Sequence, residues 1–389
     1  MLDFARSPFI VIWEVTRACA LACVHCRAEA IPKRNPGELS FTEGCGLMSE
    51  IAAFGEARPL LVFTGGDPLR RPDIYDLVAY GHGLGFRPSI TPSGTASVTH
   101  EKLLRLKSAG LARLAISLDG ATAGVHDTFR RVKGSFDWTM RIVRFAHEIG
   151  LPLQINTTIS RHNLDDVGRL AAMMSNLGPV LWGHFFLVPT GRGKAEDQIS
   201  PMETERGLND LYTLSLGASF DIKTTEAPHY RRVVVERQKG IRRDGRRELT
   251  RNHQEGCVTS RAGSDGIGRA PLGVNDGSGC VFIDHMGSIY PSGFLPLSAG
   301  NIRSDSLVRT YRQHPLFLAL RDPDQLRGRC GRCEYRGLCG GSRARAYAAF
   351  DDPLAEDPLC LYEPEDLTYP RPPASLQDDQ IPLAPPSTL

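Results

Sequence analysis

The chain has 389 residues, of which 41% are hydrophobic and 23% charged, with a formal net charge of +2. This is a globular composition, long enough for one large domain and a smaller one. Neither sign of charge forms a long block, so there is no reason to expect a nucleic-acid or membrane partner, and pairs such as Arg242-Arg243 and Arg246-Arg247 read as solvated loop charge.

In chain order, short apolar runs alternate with segments of helical period up to about residue 190, the pattern of an α/β parallel sheet. Strands are expected at Phe9 to Val15, Leu60 to Phe63, Arg87 to Thr91, Ala112 to Leu118, Leu153 to Ile159 and Leu181 to Val188. Six strands suggest a partial barrel. Helices are expected at Thr42 to Phe54, Asp73 to Leu84, His100 to Ala109, Phe136 to Ile149 and Leu164 to Leu177, with Gly85, Gly110, Gly150 and Gly178 closing four of them. Residues 191–276 are Gly- and Arg-rich and irregular and read as a bridge, 277–363 as a cysteine-bearing second module, and 364–389, rich in Pro, Asp and Gln, as a disordered tail. No apolar run approaches the roughly 20 residues of a membrane span, and no signal sequence opens the chain, so a cytoplasmic location is expected.

Ten cysteines are many for a reducing compartment, and they cluster. Cys19, Cys23 and Cys26 lie within eight residues, Cys330, Cys333, Cys339 and Cys360 form a second group, and Cys45, Cys257 and Cys280 stand apart. Such clustering argues for metal ligation rather than disulfides. The first group, C-x3-C-x2-C, follows the first strand directly. Three thiolates suit three irons of a [4Fe–4S] cube and leave the fourth open to a substrate; a zinc site with His25 as fourth ligand is the alternative. The second group, C-x2-C-x5-C-x20-C, supplies four thiolates for a complete [4Fe–4S] cluster or for zinc. The polar and Gly-rich loops, Thr64-Gly65-Gly66-Asp67-Pro68, Pro92-Ser93-Gly94 and Asp119-Gly120, all follow strands. In parallel sheets such loops converge on one site.

The triad after the first strand, followed by Gly65-Gly66-Asp67 after the second, resembles the radical S-adenosylmethionine (SAM) superfamily over roughly residues 9 to 190. The resemblance implies a partial (β/α)6 TIM-like barrel, a SAM-chelating [4Fe–4S] cluster on Cys19, Cys23 and Cys26, and reductive cleavage of SAM to a hydrogen-abstracting 5′-deoxyadenosyl radical. Gly65, Gly66 and Asp67 stand at the family's Gly-Gly-Glu motif, with the shorter Asp for Glu. Gly66 is expected to allow close approach of backbone to SAM. Ser117, Arg130 and Asn156 are implied SAM contacts, and His25 occupies the place of an aromatic residue near adenine.

The segment from Cys330 to Cys360 resembles the SPASM extension of peptide-modifying radical SAM enzymes. Cys339-Gly340-Gly341-Ser342-Arg343-Ala344-Arg345 and Asp357-Pro358-Leu359-Cys360 are similar to haem and haem d1 synthesis enzymes. Ser292 and Ser342 replace cysteines of the first auxiliary cluster, which implies that only the second auxiliary [4Fe–4S] cluster is present. The leading expectation is a maturase acting on a ribosomal peptide. The alternatives are oxidation or decarboxylation of a tetrapyrrole side chain and, from another class, a non-catalytic iron–sulfur sensor or carrier. An electron donor such as a flavodoxin or ferredoxin is implied.

Overall fold

The computed structural model describes residues 3–243, 267 and 273–364. Cys257, the side chains of the two basic pairs and the expected tail from residue 365 onward lie outside the described residues. Strand β1 (Ile10–Thr16) alternates: Val11, Trp13 and Val15 join the main hydrophobic core, which leaves Ile10, Ile12 and Glu14 on the opposite face. Ser40 and Glu43 form a reciprocal capping box that starts helix α1 (Phe41–Ala52). Gly44 lets this helix settle on Trp13, since a Cβ there would lie 2.5 Å from the indole.

The alternation continues through β2 (Leu60–Gly65), α2 (Ile74–Gly83), β3 (Ser89–Ile90), α3 (His100–Ser108), β4 (Arg113–Ser117), α4 (Ala123–Arg130), α5 (Ser135–Glu148), β5 (Leu153–Ile159), α6 (Val167–Leu177) and β6 (Leu181–Phe186). These strands pair in parallel in chain order. β3 is shorter than its apolar run because Pro88 and Pro92 flank it and cannot donate to the ladder. Helix α4, absent from the periodicity reading, begins where the Thr122 side chain accepts from Val125 N.

Beyond residue 190 the chain is more regular than its composition suggests. A second capping box, Ser200 with Glu203 around Pro201, starts α7 (Pro201–Ser215). β7 (Asp221–Thr225) pairs in parallel with β6, and α8 (Tyr230–Arg243) follows. β8 (Cys280–Ile283) then adds to the other side of β1 in parallel, Ile10 opposite Cys280, and turns back through β9 (Ser288–Tyr290) to β10 (Gly300–Asn301). Among the described residues the result is one ten-stranded sheet in the order β10-β9-β8-β1-β2-β3-β4-β5-β6-β7. The segment expected to open a separate module at residue 277 thus contributes a strand to the barrel sheet itself. Helices α9 (Leu307–Gln313), α10 (Pro315–Arg321), α11 (Gly328–Arg332) and α12 (Arg343–Phe350) complete the described fold. A small core of Val188, Leu295, Leu320, Ala344 and Leu354 ties the last helices to the loop after β6. No described helix is long and apolar enough to cross a membrane.

Candidate functional site

The loop after β1 carries Cys19, Cys23 and Cys26, and the loop after β2 is locked against it. Gly66 N donates to Thr16 O at 2.8 Å and Asp67 N to Ala18 O at 2.7 Å. Gly65 has φ +141°, and a Cβ on it would stand 2.1 Å from Thr16 O. A Cβ on Gly66 would stand 2.5 Å from both Arg17 O and Ala18 O. The structure gives Gly66 a packing reason of its own. The missing side chain makes room for the cysteine loop.

Ser93 stitches the two loops together. Its hydroxyl lies 2.9 Å from Cys19 Sγ and donates to Gly66 O at 2.9 Å. Asp67, fully buried, accepts through Oδ1 from Leu69 N at 3.2 Å and Ser93 N at 3.4 Å. Its Oδ2 is buried without a partner, and burial raises its pKa. That orphaned acceptor beside the cysteine loop suits the ammonium group of SAM. Backbone N–H groups point at sulfur, Leu21 N to Cys19 Sγ at 3.3 Å and Ala30 N to Cys26 Sγ at 3.5 Å, an arrangement that suits iron-bound thiolates. Burial pushes the Cys19 and Cys23 thiols up, with Ser93 opposing this at Cys19 and Arg130 at Cys23; metal binding acts in the opposite sense, by demanding thiolates.

Arg130 reaches Cys23 Sγ at 3.6 Å and pairs with Asp119, both side chains nearly buried. It is neither a surface salt bridge nor an isolated cation: burial raises the Asp119 pKa while Arg130 and Thr158 N oppose that rise. His25 stacks on Phe129, centroids 4.3 Å apart at 20°. Ser117 and Asn156, half-buried, are neighbours across β4 and β5, and Asn156 Oδ1 accepts from Gln154 Nε2 at 2.7 Å.

The four C-terminal cysteines come together. Cys330, Cys333, Cys339 and Cys360 line one small pocket with Arg232, Arg329 and Arg336. Asp357 N lies 3.4 Å and Arg343 Nη2 3.6 Å from Cys330 Sγ, and Gly341 N lies 3.4 Å from Cys339 Sγ. Burial lifts Cys339 to about 12 and Cys360 to about 11. Surrounding arginines and N–H···S bonds suit a site that holds four anionic thiolates. Among the described residues, no three His, Cys, Asp or Glu side chains converge as ligands of a single ion do; a cube differs because each thiolate binds its own iron.

Ser292 and Ser342 are outside that cavity and already engaged. The Ser292 hydroxyl accepts from Phe294 N at 3.2 Å, while Ser342 caps α12 through Arg345 N at 3.0 Å and donates to Glu226 at 2.5 Å. Cys280 lies buried on β8, pushed up to about 12 by burial, and Cys45 is half-buried on α1.

Two features escaped the sequence reading. Gly191-Arg192, just after β6, clamps the triad loop: Arg192 N donates to Cys26 O at 3.0 Å and Arg192 Nε to Cys23 O at 3.0 Å. Gly191 has φ +58°, and a Cβ on it would stand 2.4 Å from Arg27 O. The signal was a Gly-Arg-Gly run at the carboxyl end of a strand. Glu14 joins Arg27 at 2.8 Å to His285 at 2.9 Å; burial pushes its carboxyl up, but these partners hold it below the ordinary range. They tie the triad loop to the segment after β8.

Comparison with known proteins agrees with this arrangement. The sequence pattern of the radical SAM superfamily matches residues 13–174. An AdoMet-dependent heme synthase of Methanosarcina barkeri is 37% identical over 364 residues, 94% of this chain and 99% of that protein. Mycofactocin maturase MftC of Mycobacterium tuberculosis is 30% identical over 370 residues, 91% of this chain and 83% of that one. The structure of anSMEcpe with bound AdoMet shares the fold, with TM-score 0.65 and 14% identity over 91% of this chain and 94% of that chain. On this evidence the chain belongs to the radical SAM superfamily and is an enzyme whose cofactors are SAM and [4Fe–4S] clusters.

Proposed function

We propose that this radical SAM enzyme oxidatively decarboxylates propionate side chains of an iron tetrapyrrole. The observation that carries this reading is the 37% identity to a heme synthase along 94% of the chain, against 30% to a peptide maturase. The peptide reading favoured by the SPASM resemblance gives way to the tetrapyrrole alternative. A sensor without a substrate finds no support in relatives that are synthases and maturases.

Cys19, Cys23 and Cys26 would hold the SAM-binding cluster, and Cys330, Cys333, Cys339 and Cys360 the auxiliary one. When bound, these groups supply the electron that splits SAM into methionine and a hydrogen-abstracting radical, and a one-electron acceptor. An external donor such as a flavodoxin or ferredoxin would deliver that electron. The protein's own residues position the reactants. Ser93 and the Gly65–Asp67 loop fix Cys19 against β2. Asp67 Oδ2 offers an acceptor to the SAM ammonium, and Ser117 and Asn156 offer polar groups at the same mouth. Arg130, paired with Asp119, holds the Cys23 side of the loop, and its guanidinium would donate to the SAM carboxylate.

The test is anaerobic turnover with SAM, a reductant and iron coproporphyrin III. Vinyl products with loss of CO2 and matching 5′-deoxyadenosine support the reading. SAM cleavage unaffected by the porphyrin, with no porphyrin product, refutes it.

A further inference from the structure

The barrel interior holds a cation that the chemistry described so far does not use. Lys223 lies on β7, whose neighbour Ile222 packs into the hydrophobic core, so Lys223 faces the lumen. The register places it in a row with the candidate SAM contacts: Ser117 opposite Asn156, Asn156 opposite Gly183, Gly183 opposite Lys223. Beside it β6 presents no side chain, because a Cβ at Gly183 would come 2.7 Å from Asn156 Oδ1.

No hydrogen bond or ion pair reaches the Lys223 ammonium among the described residues. The charged or titratable groups that act on it are the Cys280 thiol, Arg113 and Arg231, with no carboxylate among them. Arg231 spends donors on the backbone carbonyls of Leu338 and Val274, and Arg113 donates to Gln154 at 3.3 Å, so both guanidiniums are engaged elsewhere. Lys223 is half-buried, and desolvation by its surroundings lowers its pKa, the direction expected of a cation without a counter-ion. A partly desolvated charge is held more favourably when a partner of opposite sign offsets it. The partner missing among the described residues is an anion, and the sheet order separates Lys223 from the Asp67 loop by four intervening strands, on the far side of the lumen from where the SAM ammonium is expected.

We propose that Lys223 binds a carboxylate of the substrate inside the barrel, orienting a tetrapyrrole propionate at the level of Ser117 and Asn156. This rests on the tetrapyrrole reading above. A single lysine–carboxylate contact sets position along one side-chain arm, which a flat macrocycle with several such arms needs for one arm to be presented at a time.

The test uses the holoenzyme loaded with both clusters and iron coproporphyrin III, an iron porphyrin with propionate arms, as the binding probe. Lys223→Met should weaken porphyrin binding by about 10- to 100-fold, the loss expected of a charge-assisted hydrogen bond. Lys223→Arg should recover most of the affinity, and both variants should keep wild-type iron content and SAM affinity. Equal porphyrin affinity in Lys223→Met and wild type would overturn the inference while leaving the tetrapyrrole reading intact. Loss of SAM affinity with porphyrin binding unchanged would overturn it by assigning Lys223 to the cofactor. A wild-type holoenzyme that binds no porphyrin would instead sink the tetrapyrrole reading.

Discussion

Replacing Gly66 with Ala is the most informative single-atom perturbation of the triad. The added Cβ would meet Arg17 O and Ala18 O at 2.5 Å each, whereas carbon–oxygen contacts settle at about 3.3 Å or more. The two loops must therefore part by about 0.8 Å, which stretches the 2.8 Å and 2.7 Å hydrogen bonds from Gly66 N and Asp67 N toward the limit of useful geometry. Two weakened buried backbone bonds cost on the order of 2–6 kcal/mol locally, and Cys19 is the residue next to Ala18. The expected result is loss of about four irons per chain on anaerobic reconstitution. SAM cleavage should fall by about 100-fold or more, as misplacement on this scale commonly costs. Gly46→Ala is the control, since nothing lies within 4 Å of a Cβ there and the site is on the exposed face of α1. A Gly66→Ala protein with full iron and wild-type 5′-deoxyadenosine formation would refute the argument that loop contact fixes this glycine.

Changing Cys19, Cys23 and Cys26 together to Ala should leave about four of about eight irons and abolish SAM cleavage; zinc in place of iron in anaerobically purified protein would contradict both cluster assignments. Changing Cys333 and Cys339 to Ala should remove about four irons and lose product, while uncoupled 5′-deoxyadenosine formation persists; an iron count near twelve in wild type would show that a third cluster exists. Glu43→Gln weakens both the α1 capping box and the pair with Arg303. Arg303 and Ser40 hold the Glu43 carboxyl at about 2, so its stabilisation is present above the ordinary value of 4.5 and is lost as pH falls toward 2. The site is exposed, so the effect is about 1 kcal/mol or less, read as a small Tm difference from wild type near neutral pH that vanishes in acid.

The barrel was legible because its strands bury one apolar face against helices, as Val11, Trp13 and Val15 do. Both cysteine groups were legible because ligand chemistry fixes residue type and spacing. β7 was not, since Asp-Ile-Lys-Thr-Thr places polar residues on a lumen face and only Ile222 in the core, leaving no apolar run to read. α7 carried a readable start in Ser200-Pro201-Met202-Glu203, obscured by the Gly- and Arg-rich residues around it. The pairing of β8 with β1 joins residues some 270 positions apart and leaves no local trace. The packing role of Gly66 was not legible for a related reason. A glycine at a turn does not reveal whether its empty side faces a ligand or a neighbouring loop.

The most direct test of the account is mass spectrometry of iron coproporphyrin III after anaerobic incubation with the reconstituted holoenzyme, SAM and a one-electron reductant. The account predicts stepwise loss of one CO2 and two hydrogen atoms per converted propionate, with one 5′-deoxyadenosine formed for each. An unchanged porphyrin mass, while the same preparation cleaves SAM or modifies a peptide side chain, would contradict it.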